Sequence, residues 1–197
     1  MDIYAFVDLH GIKKAFATIM KRAKDADIIV CAGDISDWGQ GYEPFIRQLS
    51  LLNIPVLMIH GNHEGEDELR HVCSKYPNMM FIHKACYQLG KHLFFGYGGG
   101  GFAAENEEFA KIAQRFSKDI QKDSTVIMVT HGPPYGTKID NIPNLGHRGC
   151  KSMRQFIEDK KPVLWVCGHL HETSGMMDVV GKTVVVNPGP EGKMIKI

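Results

Sequence analysis

Five short apolar runs in this 197-residue chain each end in side chains of the kind that bind metals. Asp8 and His10 follow Ile3-Tyr4-Ala5-Phe6-Val7. Asp34 follows Ile28-Ile29-Val30-Cys31-Ala32, with Asp37 three residues on. Asn62 and His63 follow Val56-Leu57-Met58-Ile59, and His131 follows Val126-Ile127-Met128-Val129. His169 and His171 follow Val163-Leu164-Trp165-Val166. Runs of this length and composition read as buried strands. In open α/β sheets ligands gather beyond the carboxyl ends of the strands, so five clusters placed this way can converge on one site. The last cluster lies near the end of the chain, so the site needs most of it, and residues 1–197 are expected to form a single domain.

Between the strands, apolar residues recur at helical spacing: Ile12, Ala15, Phe16, Ile19, Met20 and Ala23, then Phe45, Ile46, Leu49 and Leu52. Phe109, Ile112, Ala113 and Phe116 mark a third helix, and Cys150, Met153, Phe156 and Ile157 a fourth. A βαβαβ beginning implies parallel strands with right-handed crossovers. Later, His92 to Phe95, Lys182 to Val186 and Met194 to Ile197 resemble strands with little helix between them. A second, partly antiparallel sheet is expected there.

The chain is 44% apolar and 23% charged, ordinary for a soluble enzyme with a substantial core. A net charge of +1 gives no reason to expect a surface for long nucleic acids or membranes. No apolar stretch approaches the roughly 20 residues of a membrane span. The start, Met1-Asp2 running into a strand, lacks the pattern of a secretory signal. Cys31, Cys73, Cys86, Cys150 and Cys167 are odd in number and form no C-x-x-C pair, which argues against a disulfide framework. The expected setting is the cytoplasm.

In an extended segment, side chains two apart point the same way. Asp8-Leu9-His10 and His169-Leu170-His171 are therefore each expected to deliver two ligands together, with Leu9 and Leu170 returning to the core. The donors are carboxylate, amide oxygen and imidazole, without thiolate. That set suits Mn, Fe, Zn, Co or Ni better than Ca, and does not resemble a structural cysteine–zinc site. Seven ligands exceed one tetrahedral ion but suit two divalent ions sharing a carboxylate.

The order Asp8-x-His10, Gly33-Asp34-x-x-Asp37, Gly61-Asn62-His63-Glu64, His131 and Gly168-His169-x-His171 resembles the calcineurin-like metallophosphoesterase superfamily. The resemblance implies an α/β fold, a four-layer α-β-β-α sandwich of two facing mixed sheets flanked by helices. It implies that Asp8, His10 and His171 hold one metal, that Asn62, His131 and His169 hold the other, and that Asp34 bridges them, with manganese the leading expectation. Such a site stays positive after Asp8, Asp34 and a bridging hydroxide are counted, and so attracts a phosphoester and stabilises its transition state. In-line attack by that hydroxide on phosphorus is expected. The resemblance further implies that His63 protonates or hydrogen-bonds the leaving oxygen, with Asp37 accepting a hydrogen bond from its other ring nitrogen.

Thr130-His131-Gly132-Pro133-Pro134 and Gly146-His147-Arg148-Gly149-Cys150 together resemble the class III cyclic-nucleotide-phosphodiesterase-like branch. By that likeness His147 or Arg148, with Asn62, contacts the substrate phosphate. The expected activity is hydrolysis of a small phosphodiester, cyclic nucleotides included. The rival readings are a phosphomonoesterase with the same machinery and a non-catalytic scaffold of the same fold. Trp38-Gly39 stands where the protein Ser/Thr phosphatases would have Arg-Gly, which disfavours that branch. Gly98 to Gly101 is not followed by Gly-Lys-Ser/Thr and so is no nucleotide P-loop; a flexible loop near the site mouth is expected. Glu64 is read as either a motif residue or a cap for the helix after it, and His60, His71, His83 and His92 match no motif position.

Overall fold

The computed structural model describes residues 1–100 and 103–197. The first part of the chain alternates β1 (Asp2–Phe6), α1 (Lys13–Arg22), β2 (Ile28–Cys31), α2 (Glu43–Ser50), β3 (Val56–Met58), α3 (Glu66–Cys73) and β4 (Met79–Phe81). There follow β5 (Ala85–Leu89), β6 (His92–Tyr97), α4 (Glu107–Phe116), β7 (Thr125–Thr130), and a short hairpin of β8 (Asn141–Ile142) with β9 (Gly146–His147). The chain continues through α5 (Lys151–Lys160), β10 (Leu164–Val166), β11 (Met177–Val180), β12 (Thr183–Val186) and β13 (Lys193–Lys196).

Two large sheets result. The first runs β13-β1-β2-β3-β4 and the second β11-β12-β10-β7-β6-β5. Strands β1 to β4 are mutually parallel, as are β12, β10, β7 and β6, whereas β13, β11 and β5 are antiparallel edges. The alternation along each strand explains the layers. On β1, Ile3 and Ala5 face the second sheet, and on β7, Ile127 and Val129 face the first; all four sit in one buried cluster. The opposite faces carry Tyr4 and Phe6 against α1 and α2, and Val126 and Met128 against α4 and α5. Both sheets are thus covered on both sides, which is why their parallel strands read as unbroken apolar runs. The architecture is the four-layer α-β-β-α sandwich.

The final strand departs from expectation. The sequence pattern puts residues 194–197 in the second sheet, but β13 closes the edge of the first, pairing antiparallel with β1 from Asp2↔Lys196 to Ala5↔Lys193. Ile195 there packs in the inter-sheet core. Partner choice for an edge strand depends on which sheet edge stands open, and that is a tertiary property with no local signal. Among the described residues no helix is long and apolar enough to cross a membrane.

Candidate metal centre

All five polar clusters emerge at the same end of the two sheets. The first sheet supplies Asp8 after β1, Asp34 after β2 and Asn62 with His63 after β3; the second supplies His131 after β7 and His169 with His171 after β10. The local geometry is tighter than simple strand alternation. β1 ends at Phe6, and the backbone is left-handed at Asp8 (φ 54°) and His10 (φ 44°), as it is at Asp34 (φ 52°) and His169 (φ 69°). His171 opens a 3-10 turn. The extended conformation expected at residues 8–10 and 169–171 is therefore replaced by turns, although Leu9 and Leu170 do return to the core. Left-handed backbone costs about 1–2 kcal/mol at a residue other than glycine. It persists where surrounding contacts over-determine it, commonly at functional sites.

Those contacts are visible. The Asp8 amide donates to the Gly33 carbonyl at 3.1 Å and the His10 amide to the Asp34 carbonyl at 3.0 Å. Buried Glu64 ties the loops after β2 and β3 together. Its carboxylate accepts from the amides of Asp34 (3.0 Å), Ser36 (2.9 Å) and Gly61 (3.0 Å), and from the Ser36 hydroxyl (2.8 Å). Glu64 is not a helix cap: the residue at that position of α3 is Gly65, and it makes no side-chain cap bond. Gly61 has no room for a side chain, because a Cβ there would fall on the Asp34 carboxylate.

The candidate ligands then crowd into one space. Asp34 Oδ2 lies 3.3 Å from His131 Nε2 and 3.7 Å from His10 Nε2. His10 and His171 face each other Nε2 to Nε2 at 3.1 Å. Asn62 Oδ1 is 3.0 Å from His131 Nε2 and 2.9 Å from His169 Nδ1. The Ala32 carbonyl, 2.9 Å from His131 Nδ1, accepts the proton of that nitrogen and so fixes the ring with Nε2 beside the Asp34 and Asn62 oxygens, where all three could ligate one ion. Ligand atoms around an ion with bonds of about 2.0–2.2 Å are spaced roughly 3.0–3.5 Å apart. The donor set and its spacing therefore fit a metal. Asp8, His10 and His171 make one compact group, and Asp8, Asp34 and His131 an overlapping second.

Electrostatics agree. Burial works to raise the Asp34 carboxyl, but His131 and then His63 outweigh it and hold it at about 2. Burial works against charge on His131, yet Asp34 and Asp8 draw its pKa upward. Burial, followed by the charge of His131, pushes His169 down to about 4. The pocket thus keeps Asp34 anionic and His169 neutral, as ligation requires, whereas burial raises Asp8 and the two carboxylates draw His131 towards its cation, positive charge that a bound metal would supply instead.

His63 stands at the rim. Its amide donates to Asp34 Oδ1 at 3.0 Å, and its Nε2 is 4.0 Å from Asp34 Oδ2. Its Nδ1 has two neighbours: the Trp38 amide at 3.1 Å and Asp37 Oδ1 at 3.4 Å, the latter on a largely exposed side chain. The nearer one is a donor, which puts the lone pair on Nδ1 and the proton on Nε2.

The family model for calcineurin-like phosphoesterases matches residues 1–173. The chain belongs to the calcineurin-like phosphoesterase family. It is 31% identical to the uncharacterized protein MJ1162 of Methanocaldococcus jannaschii, over 99% of this chain and 91% of that one. The crystal structure of TT1561 from Thermus thermophilus superposes with a TM-score of 0.77 at 22% identity, covering 95% of this chain and 88% of that one. A structure described as a novel archaeal phosphodiesterase superposes at 0.58 and 16% identity, covering 96% and 84%. At such identities these two structures are likenesses of fold.

Next to the centre of this calcineurin-like phosphoesterase lies a cavity of about 430 Å³, reached from His169 and walled by Gly98 to Gly100, Gly132 and Pro133. Arg148 lines it; His147 does not. The His147 ring instead meets Asp140 Oδ1 at 2.8 Å. That buried carboxylate also accepts from the amides of Gly136, Thr137 and Gly149, so it organises the whole loop carrying Arg148. Gly101 lies outside the described residues. His60 and His83, which match no motif position, are buried on the cavity's far wall with their rings 4.5 Å apart. His83 Nδ1 accepts from the Gly98 amide at 2.7 Å, and burial, then His60, pushes its pKa down to about 4. Sequence reasoning missed the Asp140 role because its targets are backbone amides, and those carry no residue signature.

Proposed function

We propose that the chain is a two-metal phosphodiesterase acting on small phosphodiesters, cyclic nucleotides among them. The observation that carries the two-metal reading is the position of Asp34, one carboxylate oxygen within 3.7 Å of His10 Nε2 and 3.3 Å of His131 Nε2. One residue can thus serve both ligand groups, with Asp8, His10 and His171 on one side and Asn62, His131 and His169 on the other. Ions bound there would supply positive charge at phosphorus and a water acidified enough to attack at neutral pH. Manganese suits the nitrogen and oxygen donors.

The remaining residues have separable tasks. Asn62 reaches the phosphate as well as its ion. His63, carrying its proton on Nε2, donates a hydrogen bond to the leaving oxygen and steadies the negative charge that develops there, with Asp37 beside its other ring nitrogen. Arg148 faces the phosphate from the cavity wall, and the Asp140–His147 contact holds its loop in place. The cavity beside His169 is what favours a diester: it offers room for the ester group that stays on phosphorus, whereas a monoester would leave it to water. Residues 1–197 act as one catalytic unit in this reading, and the unpaired cysteines suit a cytoplasmic setting.

The test is turnover by metal-stripped protein, with Mn²⁺ restored, on bis(4-nitrophenyl) phosphate beside the mono-ester. Metal-dependent turnover with the diester at least tenfold faster is expected. The reverse preference would favour the monoesterase, and no metal-dependent turnover of either would return the scaffold reading.

A further inference from the structure

Among the described residues Trp38 is the aromatic one of the large apolar side chains left exposed, with 74% of its surface in solvent. Its backbone is left-handed (φ 52°), a conformation that glycine or asparagine adopts with far less strain than an indole-bearing residue. The backbone has a task, since its amide donates to His63 Nδ1, but any residue would bring that amide. The side chain gains almost nothing from packing. It lies against His63, ring centroids 4.6 Å apart and tilted by 40°, and neither residue lines the cavity beside His169. A large flat apolar surface is therefore held open to water beside the group that faces the leaving oxygen.

We infer that Trp38 is the platform for the leaving alcohol, and that this alcohol carries a flat ring, such as a nucleoside or an aryl group. The inference rests on the His63 role proposed above. A donor to the leaving oxygen sits next to whatever that oxygen is bonded to, and the nearest surface there is the indole. Stacking of a base or aryl ring on an aromatic side chain tolerates many ring types. This site would therefore select for ring-bearing alcohols as a class over alkyl ones. The retained ester group would occupy the separate cavity.

Two readouts test it. Trp38→Gly removes the ring while suiting the left-handed backbone, so the fold should keep or gain thermal stability. For phosphodiesters that differ only in the leaving group, kcat/KM should fall about tenfold or more further for 4-nitrophenyl than for trifluoroethyl. Trp38→Phe should restore most of the difference. Equal losses on both esters, or none on either, would overturn the platform. In metal-free protein labelled with ¹⁵N, adenosine should shift the indole N–H resonance of Trp38 in a saturable way and leave that of buried Trp165 in place; an unmoved Trp38 signal would also overturn it. A shifted signal in a protein that turns over no phosphoester would uphold the ring site and defeat the phosphodiesterase reading alone.

Discussion

At His63 a single backbone hydrogen bond decides the chemistry of a ring. The Trp38 amide occupies Nδ1, so the proton resides on Nε2, the nitrogen that faces the centre. This arrangement matters most when the departing alkoxide is a strong base. His63→Ala is therefore expected to slow esters of poorly acidic alcohols by about 10²–10⁴ and nitrophenyl esters far less. Equal losses across a series of leaving groups would remove His63 from its role at the leaving oxygen. The motif residue His63 was legible from Gly-Asn-His-Glu, and so was its candidate partner Asp37. The nearer contact of that ring nitrogen, a main-chain amide, was not. Main-chain donors belong to every residue except proline, so only the turn that aims one can reveal it.

The elements explain why the strand ends were readable and the joints between them were not. An apolar run that stops at a carboxylate or imidazole is a local pattern, and every such run became a strand ending at the site. Glu64 works instead across the loops after β2 and β3, and its partners at Asp34, Ser36 and Gly61 come together only in three dimensions. Four donors converge on this carboxylate in a buried position, so its loss would leave backbone amides without acceptors. Each such orphan costs about 1–3 kcal/mol. Glu64→Ala is expected to lower stability by roughly 3–5 kcal/mol, read by urea denaturation, and to weaken metal retention because the Asp34 turn loosens. Full stability in that variant would show that the loops are held by other contacts. The same limit of local signal applies to β13, whose apolar residues announce a strand but not the sheet it completes.

Across the whole molecule, the layers could be read from the sequence because buried parallel strands must be apolar on both faces. What the layers create is a division of labour. Asp8, Asp34 and Asn62 stand on one sheet and His131, His169 and His171 on the other, across an interface that is otherwise held by side chains such as Ile3, Val30, Ile127 and Val166. Ions held between them would rivet the two halves together at one end. Free metal at about a hundred times its dissociation constant should then add roughly 2.7 kcal/mol to stability. For a domain of this size that raises the melting temperature by about 5–10 °C. A melting point indifferent to added Mn²⁺ would mean that the two halves do not share the ions. If they do share them, the heat resistance of the protein becomes a gauge of the metal supply around it, and a cell starved of that metal would lose the fold's reserve of stability together with its activity.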